Sequence, residues 1–211
     1  MNFGELIYVV PAALLAICGH EYAHGYVSWK LGDPTPEMDG RLTLNPLDHL
    51  DLFGTLALIF FHFGWAKPVR INSWYYKERK KGVLLVSLAG VAANFLMAIV
   101  GMIFLGLIYK FTEGYVSGIL LTLYHFFNYF IVLNIGLAVF NLIPIPPLDG
   151  AKAFGIIYKN DENYLESRVN FQGYIVIAVL MMTGVIGPVL RFFQNTIINV
   201  LWGFVKALLL I

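Results

Sequence analysis

The chain has 211 residues, of which 59% are hydrophobic and 13% charged, with a formal net charge of +1. A soluble domain carries about a quarter charged residues, so this composition, with a mean hydropathy of +0.73, marks an integral membrane protein. The single cysteine, Cys18, excludes an intramolecular disulfide and any cysteine-rich metal site.

A membrane span needs about 20 apolar residues. The first is predicted over about residues 5–27. It lacks a basic leader and a small-residue cleavage site, so it is expected to be retained. The next apolar run, Leu52 to Phe63, is too short to cross and lies between Asp48-His49-Leu50-Asp51 and Gly64-Trp65-Ala66-Lys67-Pro68. It is read as part of a re-entrant, β-like segment over about 52–72, tolerated at depth only where protein or a watery cavity covers it. Further spans follow at about 83–109 and 119–143, and the long apolar region 171–211 is split by Gly187-Pro188 and Arg191 into 171–190 and 193–211. The predicted fold is thus an all-α polytopic membrane protein of about five transmembrane helices, forming one domain over 1–211. No loop is long enough for a PDZ module, so control is expected from substrate trimming, from a partner, or from nothing at all.

Basic residues orient the spans. Lys30, Arg41, Lys67, Arg70, Lys77, Arg79, Lys80 and Lys81 fall in one connecting segment and Lys152, Lys159 and Arg168 in another, whereas the alternate turns hold only Lys110 and Arg191. The positive-inside rule places the first two segments in the cytoplasm and the N-terminus outside. At 1.5 Å per residue, His20 then lies about 22 Å into a ~30 Å core, nearer the cytoplasmic edge.

His20, Glu21 and His24 interrupt the first span. Residues four apart share a helix face, so the two imidazoles can bind one metal ion with the carboxylate beside it. Ionisable groups are costly in a span and mark a functional site by default. Two neutral imidazoles and a carboxylate able to take a proton from water are the parts of a hydrolytic zinc centre, which needs a third protein ligand and an open position. Asp149 is the candidate third ligand. It ends the run Pro144-Ile145-Pro146-Pro147-Leu148-Asp149-Gly150, where proline must unwind the preceding helix and let Asp149 turn back into the bundle at the level of His20.

His20-Glu21-Tyr22-Ala23-His24 together with Asn141-Leu142-Ile143-Pro144-Ile145-Pro146-Pro147-Leu148-Asp149-Gly150 closely resembles the site-2 protease family of intramembrane zinc metalloproteases, in a compact form without PDZ or CBS domains. Gly64 to Asn72 is similar to the segment after that family's re-entrant hairpin, and Ser87 to Asn94 to its Gly-x-x-x-Asn helix. Many relatives have proline where this chain has Val91, a difference that touches no ligand position. The resemblance implies zinc held by His20, His24 and Asp149, Glu21 as general base, and Asn141 as a donor to the substrate carbonyl or developing oxyanion. It makes Asn94 a candidate helper, although a Gly-x-x-x-Asn face is equally a close helix-packing surface. The implied reaction is zinc-dependent hydrolysis of a peptide bond within or near a transmembrane helix of a membrane-protein substrate. Strand addition on the re-entrant segment would hold the unwound substrate, in which case proline or charge substitutions along Val69 to Ser73 should impair cleavage.

Other polar residues receive plainer readings. His49 and His62 are read as solvated, His125 as a packing or interface residue near the opposite face, and Cys18 as a structural thiol. Asn128 and Asn134 are expected to bond between helices, with Asn134 supporting the face of Asn141. The cluster Lys77 to Lys81 anchors the inner interface, and nucleic acid is not an expected partner. Two alternatives stay open: a non-catalytic metal-binding scaffold or partner protein, disfavoured by an intact Glu21, and a metal transporter, disfavoured by the single closed site. Substrate, pathway and oligomeric state are not legible.

Overall fold

The computed structural model describes residues 3–51, 54, 67–159 and 171–210. Four described helices are long and apolar enough to cross a membrane: α1 (Leu6–Lys30), α4 (Arg79–Thr112), α5 (Gly118–Asn141) and α8 (Ile186–Leu209). Between α1 and α4 the described residues include the single turns α2 (Thr35–Met38) and α3 (Pro46–His49) and a 3-10 turn at Ser73–Tyr75. The short α6 (Asp149–Phe154) runs into a π-helical turn at Gly155–Lys159, and α7 (Phe171–Met182) precedes α8. The all-α expectation holds, with no strand among the described residues. The part of the predicted re-entrant segment described here, 67–72, is neither helical nor paired as a strand. Its remainder, save Gly54, lies outside the described residues, as does His62.

Helices α1, α4 and α5 pack together as the core, α8 lies against α4 and α5, and α6 against α4. Lipid is as apolar as leucine, so such packing relies on close van der Waals approach and buried polar bonds. Gly101 shows the first: a Cβ there would stand 3.0 Å from Phe130 and 3.1 Å from Ile131. Around it Met102 and Leu105 of α4 meet Ile131 of α5 and Val205 of α8. Asn94 and Asn134, both fully buried, show the second, joined by an Asn94 Nδ2 to Asn134 Oδ1 bond of 2.8 Å.

Helix ends follow local chemistry. α1 tolerates Pro11 in its second turn, and it stops where Gly32 takes φ +102°. α4 extends beyond the apolar 83–109 to include Arg79-Lys80-Lys81, because hydropathy marks what lipid accepts and not where a helix ends. α5 ends at Asn141, two residues before predicted, since the residue ahead of Pro144 is driven from helical geometry. The break in the C-terminal region also moves. It falls at 183–185, where Gly184 takes φ +71°, and Gly187-Pro188 instead lie in the first turn of α8. Proline in a first turn removes a donor that has no intrahelical acceptor, so Pro188 starts a helix rather than ending one. As described, the 12 residues of α7 reach about 18 Å, short of a full span.

The connection after α1 is fastened by Asp33. This buried carboxylate accepts from Ser28 Oγ at 2.7 Å, Thr35 N–H at 2.9 Å and Asn72 N–H at 2.7 Å. Burial alone would raise its pKa, but these donors outweigh that and hold it below the usual carboxylate range. Ser28 Oγ also meets the Tyr76 hydroxyl at 2.7 Å, and burial pushes that phenol up to about 12. Together with the exposed Arg70–Asp39 pair, these bonds hold the extended stretch 67–72 against the end of α1.

Candidate metal centre

On α1, His20 and His24 lie one turn apart with their rings edge to face, centroids 4.6 Å apart. Each ring is anchored through Nδ1. His20 Nδ1 lies 2.7 Å from Asn94 Oδ1, and His24 Nδ1 lies 2.7 Å from the Val86 carbonyl. Asn94 has its orientation set by its own donors, which go to Ala16 O at 3.1 Å and to Asn134 Oδ1. Asn134 in turn donates to Phe130 O at 2.8 Å. Both Nδ1 partners are therefore acceptors, so both Nδ1 atoms carry the proton and both Nε2 atoms present lone pairs.

Those lone pairs converge. The two Nε2 atoms are 3.0 Å apart, and Asp149 Oδ2 lies 3.2 Å from that of His20 and 3.0 Å from that of His24. All three residues are buried. Three acceptors brought together without a donor repel one another unless a cation sits among them. A tetrahedral zinc with bonds of 2.0–2.1 Å spaces its ligands by about 3.3 Å, so a slight expansion of this triangle fits the ion. The donor set, two imidazoles and one carboxylate with the other ring nitrogens bonded outward, is among those that hold zinc at catalytic sites.

Asp149 reaches this point because α5 is cut short. After Asn141 the chain turns through Ile145 N–H to Ile143 O at 2.8 Å and Leu148 N–H to Ile145 O at 3.0 Å, with a cis Pro146–Pro147 peptide. Gly150 then packs directly on the carbonyls of Leu142 and Ile143, leaving no room for a side chain. The other carboxylate oxygen, Oδ1, lies 3.5 Å from Lys152 Nζ, one helical turn on.

A cavity of about 1050 Å³ opens beside the triad, lined by His20, Glu21, His24, Asn141, Asp149 and Lys152 among others. Val69 and Ile71 form one wall, and Tyr174, Ile177 and Met181 of α7 another. Within it, Glu21 Oε2 accepts the Val69 N–H at 2.9 Å. Asn141 lines the same cavity, with its amide donating to Leu137 O of its own helix at 3.0 Å.

The sequence-predicted residues are thus gathered with one qualification. Asn94 does not line the cavity; it stands behind His20 as its hydrogen-bond partner. Asn134 supports the site as expected, through Asn94 rather than through the face of Asn141. Asn128 bonds within its own helix, to Tyr124 O at 2.8 Å, and makes no bond between helices among the described residues. His125 lies tilted against Tyr8 with ring centroids 5.3 Å apart, about three turns of α1 before His20, and Cys18 is buried. His49 is not solvated: it is 1% exposed, with Nε2 2.8 Å from Thr43 O, because the turn around α3 folds over it.

Sequence reasoning missed Gly90 and Lys152 as parts of this site. A Cβ on Gly90 would stand 2.5 Å from His20 Cε1 and from His24 Nε2. The bare backbone lets both imidazoles lie on α4, where His24 reaches the carbonyl of Val86 one turn back. The Gly-x-x-x-Asn spacing is the available signal, since it puts room for the rings and a partner for His20 on one helix face.

The sequence matches peptidase family M50 over residues 8–184. It is 34% identical over 206 residues to "Putative zinc metalloprotease YwhC" of Bacillus subtilis, covering 96% of this chain and 94% of that protein. It is 31% identical over 190 residues to "Putative zinc metalloprotease Rip2" of Mycolicibacterium smegmatis, covering 85% of this chain and 68% of that one. The Rip2 protein of Mycobacterium tuberculosis is 29% identical over 156 residues, 71% of this chain and 57% of its own length. No solved structure matches. With a zinc-fitting triad whose two imidazoles sit on a helix able to cross a membrane, and a match of this extent, the chain belongs to peptidase family M50, the site-2 protease family, and is a zinc-dependent membrane metalloprotease.

Proposed function

We propose that this protein is an intramembrane endopeptidase that hydrolyses a peptide bond within, or at the edge of, a substrate's transmembrane helix. The observation that carries this reading is the opening of a large cavity onto three converging lone-pair donors, with a carboxylate in the same wall. Its volume of about 1050 Å³ is at the upper end of small-molecule pockets, which suits a length of polypeptide.

In this reading His20, His24 and Asp149 hold the zinc, and Asn94 and Val86 O keep the two imidazoles in the ligating tautomer. A bound zinc supplies Lewis-acid activation of the carbonyl and of the attacking water. Glu21 takes a proton from that water and returns it to the leaving amine. Val69 N–H holds one of its oxygens; the other makes no hydrogen bond among the described residues. Asn141 would turn its amide from Leu137 O toward the developing oxyanion, a donor worth about 3 kcal/mol where such groups have been removed. The extended stretch 67–72, with Val69 and Ile71 on the cavity, would hold an unwound substrate alongside. The placement of the centre near the cytoplasmic face rests on the clustering of Lys and Arg between α1 and α4 and after α5.

The test is reconstitution of the purified protein with zinc in liposomes beside a panel of single-span reporter proteins. Mass spectrometry of the products should place a cut inside or within a few residues of an apolar segment, and chelation should abolish it. Cleavage confined to soluble polypeptides would overturn the intramembrane reading. A zinc-loaded protein that cuts nothing would favour the non-catalytic scaffold.

A further inference from the structure

The peptide unit joining Pro68 to Val69 is gripped from both sides. Its N–H donates to Glu21 Oε2 at 2.9 Å, and its carbonyl accepts from the Arg41 guanidinium at 3.3 Å. The unit is trans, so its oxygen and hydrogen point in opposite directions: Glu21 holds it from the cavity and Arg41 from behind.

Arg41 is 6% exposed, and a guanidinium that deep must be satisfied by several acceptors. It is. Besides Pro68 O, it donates to Lys67 O at 3.2 Å and to Asp48 O. The planar fork of donors is what allows one side chain to bridge carbonyls from two stretches of chain. The same two stretches are joined once more by Lys67 N–H to His49 O at 2.9 Å. A cation on the Pro68 carbonyl also polarises the peptide, strengthening the N–H that faces Glu21.

We propose that Arg41 is a positioning residue for the reaction: by clamping the Pro68 carbonyl it fixes the Val69 N–H, and through it the orientation of the Glu21 carboxylate. This rests on the reading of Glu21 as the base. Arg41 touches none of His20, His24 or Asp149, so its loss should alter the rate while leaving the metal in place.

The measurement is kcat and KM for a cleaved single-span reporter, with zinc content, on Arg41→Ala and Glu21→Gln of the full chain in liposomes. For Arg41→Ala, zinc content should equal that of the wild type. Its kcat should fall about tenfold or more, as displaced catalytic groups do, with KM within about threefold. Arg41 also lines a polar recess of about 300 Å³ with Asp48 and Lys67, through which a small cation can enter. Added methylguanidinium should therefore restore part of the lost kcat of Arg41→Ala, a recovery that a merely misfolded loop would not show. Unchanged kcat, a loss confined to KM, or a kcat loss that methylguanidinium leaves untouched would each overturn the clamp. If Arg41→Ala does not load zinc, Arg41→Lys carries the test: one ammonium cannot span three carbonyls, so kcat should drop several-fold, and wild-type kcat overturns the proposal. Full activity in Glu21→Gln would sink the reading of the base instead, so the two failures are distinct.

Discussion

Glu21→Gln should leave zinc bound at wild-type stoichiometry while lowering kcat about a thousandfold, within the range typical of a lost general acid–base. Glutamine keeps the shape of the side chain, and its amide oxygen still accepts the Val69 N–H that Glu21 Oε2 accepts. It cannot take up a proton. Because Glu21 is not one of the three converging donors, the metal stays. KM should change little, since the interaction lost is one made in the transition state. Metal analysis alongside turnover of a transmembrane reporter checks both halves. A Glu21→Gln protein with less than a tenfold loss in kcat would show that another group takes the proton.

Gly90→Ala should weaken zinc binding by about 100-fold, comparable to the removal of a partner that orients a metal ligand. The added methyl would stand 2.5 Å from His24 Nε2 and 2.7 Å from His20 Nδ1. Neither ring can swing away freely, because each is tied through Nδ1, to Asn94 and to Val86 O. Relief then comes from tilting a ring and losing its outward hydrogen bond, or from pushing α1 off α4. Both spoil the convergence on Asp149. Titration with a competing chelator reads the affinity, and Gly101→Ala is the control, since the atoms nearest its methyl belong to Phe130 and Ile131 and not to the triad. Equal zinc affinity in Gly90→Ala and wild type would mean that α1 and α4 sit farther apart than described.

The His20–His24 pair on α1 was legible because helical spacing alone puts the two on one face, and an apolar span makes their presence costly. Asp149 was legible for a different reason. Three prolines in four residues must break a helix, and a carboxylate at such a break has somewhere to go. The supporting parts were not. Gly90 reads as a generic packing residue until two helices are docked and the rings are seen to need its space. Arg41 reads as one more cytoplasmic charge, since nothing in its neighbours along the chain announces three carbonyls about it. Asn94 was legible as a polar residue near the site, but only tertiary contact shows that its partner is His20. The helix boundaries erred where proline was read as a stop: Pro188 opens α8, and the turn belongs to Gly184.

The wide separation of the ligands along the chain has a consequence for biogenesis. His20 precedes Asp149 by 129 residues, about 6 to 26 s of synthesis at ordinary rates of elongation. During that interval the nascent chain carries two of the three converging donors but not the third, and the proline turn that delivers it exists only after α5 has been made. A half-made molecule therefore holds an incomplete set of metal donors. The order of the sequence thus delays completion of the donor set until the chain beyond α5 has been made.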